Sequence, residues 1–118
     1  MKSNKELKEA YKQKKFPVGV FQIRNTVNNK ILVESSVNLD AIWNRHHVQL
    51  KFGGHPNEEL QAEWNQYGAD HFVFEILAEL KEEENPQKDP AKEVKLLEQL
   101  YIEELQPFGE KGYNRRKK

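Results

Sequence analysis

Two runs rich in β-branched and aromatic residues, "VGVFQIRN" and "KILVESS", stand on either side of Asn28-Asn29. Asparagine tolerates positive φ, so a two-residue turn at Asn28-Asn29 predicts an antiparallel hairpin. In that register Val27 faces Lys30, Asn25 faces Leu32, Ile23 faces Glu34 and Phe21 faces Ser36. Cross-strand partners share a face and alternate residues swap faces. Phe21, Ile23, Asn25, Leu32 and Glu34 therefore line one side, and Val18, Val20, Ile31 and Val33 the other.

The rest of the chain supplies helices and one more strand. Leu39, Ile42, Trp43, His46, His47 and Leu50 recur at helical spacing, with Ser36 or Asn38 as cap and Gly53-Gly54 as terminator. "PNEELQAEWNQYG" reads as a second helix capped by Asn57, with Leu60, Trp64 and Tyr67 inward and Gly68 ending it. "HFVFEILAEL" is a third strand, apolar enough for the sheet centre. "KEEENPQKDP" reads as a mobile loop, and "AKEVKLLEQLYIEELQP" as a helix with Val94, Leu97, Tyr101 and Leu105 on one stripe. Upstream, Ser3 and Glu6 have capping-box spacing for an N-terminal helix over residues 1–16. The expected architecture is α+β: a small, mainly antiparallel three-stranded sheet flanked by helices.

At 118 residues there is room for one domain, placed at 17–114, with a basic tail at 115–118. The absence of cysteine excludes disulfides and thiolate-rich zinc sites, which agrees with a cytoplasmic protein. No segment reads as a signal peptide or a membrane span. The formal net charge of zero is unevenly spread: +6 over residues 1–51, −10 over 52–107 and +4 over 108–118. Phosphate binding needs local positive potential, so nucleic-acid contact falls to the two basic ends. The expected contacts are Lys14, Lys15, Arg24, Arg45, Arg115 and Arg116. Lys and Glu alternating along solvated helices is the plainer account of the same charges.

In order, "GVF", "NTVNNKILVESS", "VNLDAIWNRH", "GGHPNEELQAEWNQYG", "FVFEIL", "LEQLYIEEL" and "GYN" resemble the GIY-YIG nuclease domain, in particular its phage-type members. The likeness covers about residues 18 to 114 and implies that fold. For the family it implies single-metal phosphodiester hydrolysis by two tyrosines, an arginine, a metal-binding glutamate and an asparagine. Carried over, the tyrosines fall on Phe21 and Leu32, the arginine on Ile42, the glutamate on Glu98 and the asparagine on Asn114. The glycine of the second motif falls on Glu34.

Three of these side chains cannot do the family's chemistry. Phenylalanine and leucine have no oxygen to hold or move a proton. Isoleucine cannot offset charge on a pentavalent phosphate, where losing a preorganised donor costs about 10²–10³ in rate. Glu34 sets a carboxylate where a polyanion would approach, and Glu98 alone is a poor magnesium ligand set. The resemblance then implies a domain that has lost endonuclease activity and is kept as a binding module for DNA or RNA, without a cofactor. The alternative is an active Mg²⁺-dependent endonuclease whose chemistry has moved to Arg45, His46 and His55, the two histidines standing where phage-type members also carry histidine. His46 and His47 lie about 100° apart on a helix and do not easily share one target, and a metal cluster of His46, His47, His55 and Glu98 is disfavoured because no zinc-type spacing is present. The structural alternatives are an apolar core at Phe21, Leu32 and Ile42, a Glu34–Arg45 pair or an outward Glu34, and packing roles for Trp43 and Trp64. For Asn114 the corresponding role is a brace on the C-terminal turn.

Overall fold

The computed structural model describes residues 16–80 and 89–115. The helix expected over 1–16 and most of the 81–90 loop fall outside them. The elements are β1 (Gly19–Asn25), β2 (Ile31–Ser36), α1 (Leu39–Lys51), α2 (Glu58–Tyr67), β3 (Phe72–Glu79) and α3 (Pro90–Leu105). Single 3-10 turns lie at Ala69–His71 and Gly109–Lys111. Among the described residues no helix is long and apolar enough to cross a membrane.

Each helix starts where a side chain satisfies a free backbone N–H. Asn38 accepts from Ala41 N–H at 3.2 Å, Asn57 from Leu60 N–H and Asp89 from Ala91 N–H at 3.0 Å each. Pro90 takes the first position of α3, where no N–H is needed. The ends use left-handed residues. Gly53 (φ 77°) closes α1 and Gly68 (φ 93°) closes α2, while Gln106 (φ 48°) precedes Pro107 after α3.

The sheet is antiparallel in the order β2-β1-β3. The central strand is thus β1, and β3, expected at the centre, is an edge strand with Ile76 51% exposed. Its apolar run has another cause. Phe72 and Phe74 pack on one face and Leu77 on the other, and two-sided packing gives the same hydropathy at an edge as at the centre.

The two-residue turn is also corrected. Asn25 N–H bonds Lys30 O at 2.9 Å, Asn29 N–H bonds Asn25 O at 2.7 Å, and Asn29 is left-handed (φ 64°). The loop is therefore Thr26 to Asn29, and the partners are Phe21 with Glu34 and Ile23 with Leu32. Asparagine side chains favour this longer loop: Asn25 Oδ1 accepts Val27 N–H and Asn28 Oδ1 accepts Lys30 N–H. Because the register moves by two residues, each side chain keeps its face.

Helices cover both faces. Phe21, Ile23 and Leu32 pack with Leu39 and Leu50 of α1 and Leu60 and Trp64 of α2. Val20 and Val33 pack with Val94 of α3, flanked by Val18, Ile31, Leu97, Tyr101 and Leu105. The outer edge of β2 is covered by the chain's own C-terminal segment. Gly112 bridges Ile31 in parallel, Tyr113 N–H bonds Ile31 O at 2.9 Å, and the Asn114 amide bonds both Val33 N–H and Val33 O at 2.8 Å.

Two glycines permit these contacts by lacking a Cβ. At Gly19 a Cβ would lie 2.1 Å from Ala78 O, and at Gly112 it would lie 2.3 Å from Pro107 O. Backbone cannot yield as a flexible side chain can. Gly19→Ala and Gly112→Ala should each lower stability by about 3 kcal/mol or more, read as a fall in the urea midpoint. Gly54→Ala meets nothing within 4 Å and should change stability by less than about 0.5 kcal/mol.

Candidate functional site

The structure brings three of the five mapped positions together. Phe21, at the middle of β1, is fully buried, Leu32 is 4% exposed, and Ile42 of α1 packs on the same cluster. Around Phe21 stand the rings of Phe74 at 5.0 Å and His46 at 5.7 Å. Trp43 stacks on Phe74 at 5.5 Å, and Trp64 lies in the core. Both tryptophans have packing partners here.

Beside the cluster runs a hydrogen-bonded chain. His46 Nε2 lies 2.8 Å from Glu34 Oε2, and His46 Nδ1 lies 2.8 Å from His55 Nε2. Asn57 N–H donates to His55 Nδ1 at 3.0 Å. That backbone donor fixes both tautomers. His55 must carry its proton on Nε2 and give it to His46 Nδ1, which leaves the His46 proton on Nε2, aimed at Glu34. Gln61 anchors the loop, accepting from His55 N–H at 3.1 Å and donating to Leu50 O at 2.9 Å. Glu34 thus pairs with His46, not with Arg45 and not with solvent alone. Burial lowers the His55 pKa, and the neighbouring His46 lowers it further, against smaller opposing effects of Glu34 and Asn57.

The other mapped residues reach β2 elsewhere. Ser35 shares a face with its cross-strand partner Val20, on the α3 side of the sheet. There Ser35 Oγ donates to Glu98 Oε1 at 3.1 Å, while Lys95 Nζ lies 3.6 Å from Glu98 Oε2. Glu98 is buried, not the solvated glutamate that a Glu-rich helix suggests. Phe21 and Leu32 lie on the α1 side, so Glu98 is on a different sheet face from them. Asn114 braces β2 through its backbone. A protein-held magnesium ion needs several oxygen ligands. Here the carboxylate already accepts a hydroxyl and faces an ammonium, and among the described residues no three His, Cys, Asp or Glu side chains are grouped to hold a metal. These residues do not fit such a centre. His47 is not part of a metal cluster either: its ring packs between Trp43 and Trp64, each at 5.7 Å.

Of the expected phosphate contacts, Lys14, Lys15 and Arg116 lie outside the described residues. Arg24 Nε is bonded to Glu75 Oε1 at 2.7 Å, and Gln22 holds the same oxygen. Arg45 and Arg115 are exposed.

The sequence reading missed a polar cluster that ties the hairpin to α2. Asn25, fully buried, donates to Glu63 Oε1 and to the Tyr113 hydroxyl at 3.2 Å each. Tyr113 in turn donates to Glu63 at 3.1 Å, and Lys30 bonds both Glu59 and Glu63. Burial raises the Tyr113 pKa well above the usual phenol range, with Glu63 adding to it. Burial would likewise raise Glu63, but the Lys30 ammonium and the Asn28 amide outweigh it and hold the carboxyl low. The legible signal was Glu59 and Glu63 four apart on one helix face. Their partners arrive only through tertiary structure.

No family model matches the chain. Over 67 residues, 57% of its length, it is 37% identical to intron-associated endonuclease 1 of Enterobacteria phage T4. It spans only 27% of that relative. Two solved structures of the catalytic domain of the homing endonuclease I-TevI superpose with a TM-score of 0.69. One is 32% identical and is matched over 85% of this chain and 99% of that one. The other, a point variant, is 31% identical over 84% and 93%.

Acidification tests the histidine chain. The folded pKa of His55 lies below the ordinary imidazole value of 6.5, so the unfolded chain takes up a proton first as pH falls. This contribution to stability is complete above about pH 6.5 and declines as pH drops toward the folded pKa. Urea midpoints should therefore fall between pH 7 and pH 5. In His55→Gln, which keeps a donor toward His46 without a titrating ring, that decline should be shallower.

Proposed function

This chain belongs to the GIY-YIG endonuclease family, and from that premise we propose that it is a nuclease-derived domain without cleavage activity, serving as a nucleic-acid-binding module. One observation carries the reading: Phe21 and Leu32 lie buried in a common apolar cluster where the family resemblance places two tyrosines. A group that manages protons must reach the attacking water, and hydrocarbon sealed under Ile42 and Phe74 offers none. At the second motif's glycine, Glu34 holds His46 and adds negative charge on the side from which a phosphate would come. Binding is the part of nuclease function that survives such replacements. The endonuclease relatives and the net positive charge of the two chain ends support nucleic acid as the ligand.

The second reading, an active enzyme, rests on His46, a histidine held by a carboxylate within 2.8 Å. That pairing is suited to a general base. A cleavage assay separates the two. With supercoiled plasmid and magnesium or manganese, the protein should leave the substrate intact while an oligonucleotide-binding titration weakens steeply with salt. Nicking that disappears in His46→Gln would establish the active enzyme instead.

The sealed cluster makes a separate prediction. Phe21→Tyr buries a hydroxyl with no partner provided for it, so stability should fall by about 1–3 kcal/mol in urea titrations. An unchanged midpoint would mean the ring edge opens to water.

A further inference from the structure

Ala41, Arg45, Val48 and Phe52 recur at helical spacing on the side of α1 opposite Leu39, His46 and Leu50, which enter the core. Arg45 and Lys51 are exposed, Val48 is 43% exposed, and Phe52, at 78%, is the most exposed large apolar side chain among the described residues. Phe52 is not at a frayed end. Gly53 N–H bonds Leu50 O at 3.3 Å and Gly54 N–H bonds Gln49 O at 2.9 Å, a pair of bonds that fixes the helix terminus around it.

Charge separates this surface from its rivals. From Ala41 to Asn57 the chain carries Arg45 and Lys51 and no Asp or Glu, whereas residues 58–80 and 89–110 carry twelve Asp or Glu and two Lys. Among the described residues neither Arg45 nor Lys51 is held in an ion pair, unlike Arg24, Lys30 and Lys95. The other exposed apolar stripe, Leu96 and Leu100 on α3, is bordered by Glu103 and Glu104 and would repel a polyanion.

The geometry points to the outer stripe of α1 as a docking surface for single-stranded nucleic acid, with an unpaired base stacked on Phe52 and phosphates against Arg45 and Lys51. Stacking on an aromatic ring tolerates any base, and the two cations, Lys51 next to Phe52 in sequence and Arg45 about two turns away on the same stripe, offer charge to the backbone. This assignment rests on the binding role proposed above and gives it a location, away from the face that holds Phe21 and Leu32.

The test uses the full chain and fluorescently labelled DNA and RNA oligonucleotides, single-stranded and duplex, titrated by anisotropy across a salt series. Phe52→Ala should weaken single-strand binding by about 5- to 150-fold, and Phe52→Trp should retain it. The double change Arg45→Gln and Lys51→Gln should lower the slope of log affinity against log salt by about 1.4, the share of two phosphate contacts on a single strand. All these side chains are exposed, so urea midpoints should match the parent's. Salt-sensitive binding that these variants leave unchanged would overturn this surface while leaving the binding role intact. An absence of binding to any oligonucleotide would overturn both. Equal binding of duplex with Phe52→Ala neutral would overturn the stacking assignment, as would a dimer that Phe52→Ala dissolves.

Discussion

Strand β1 is bonded along both edges and buried on both faces, and every other layer takes its position from it. The hairpin sets β2 on one side and β3 on the other. Phe21 and Ile23 look toward α1 and α2, while Val20 looks toward α3. One residue of this strand has to be glycine, because the β3 backbone crosses where a Cβ at position 19 would stand. That approach coincides with an irregular register between Val20 and Phe21, where the β3 pairing skips a residue. The mapped site grows from the same strand, so its chemistry cannot be separated from the core.

A free strand edge invites pairing with another chain, and β2 would present one on its outer side. The C-terminal segment removes it with one parallel bridge and the two bonds of the Asn114 amide. Tyr113, just before, carries its hydroxyl into the cluster of Asn25 and Glu63. A single short segment thereby closes the sheet edge and pins the hairpin loop to α2. The buried polar groups are all satisfied: among the described residues no buried side-chain nitrogen or oxygen lacks a partner. A buried network is stabilising only in that complete state.

Hydropathy and caps made most of this legible. The capping roles of Asn38 and Asn57, the Gly53 and Gly68 stops, and the sidedness of Phe21 and Leu32 all follow from local residue chemistry. What escaped was set by partners distant in sequence. The turn length depended on asparagine side chains competing for loop N–H groups, which spacing alone does not weigh. Strand order depended on how many ladders each strand makes, and an apolar strand packed on both faces reads alike at edge and centre. At the site, Glu34 could be placed on the correct face, but its partner could not be chosen. His46 and Arg45 are adjacent in sequence, and only the packing of α1 turns one inward and the other outward.

The replaced residues make energetic sense as a group. A tyrosine at position 21 would need a hydrogen-bond partner or a path to water, whereas phenylalanine and leucine add burial worth about 1.5–3 kcal/mol each. Ile42, half-buried against the same cluster, adds apolar contact that the charged end of an arginine would not. Under the proposed loss of cleavage, apolar side chains at these positions favour the folded state, the usual direction when a strained or polar site is released from function. Glycine behaves differently. Backbone crosses over Gly19 and Gly112, while position 34, where the resemblance places a glycine, carries a glutamate that bonds a histidine. The backbone approaches that need glycine are intact while hydrocarbon stands at positions 21, 32 and 42, and the binding-only scaffold proposed above rests on this asymmetry.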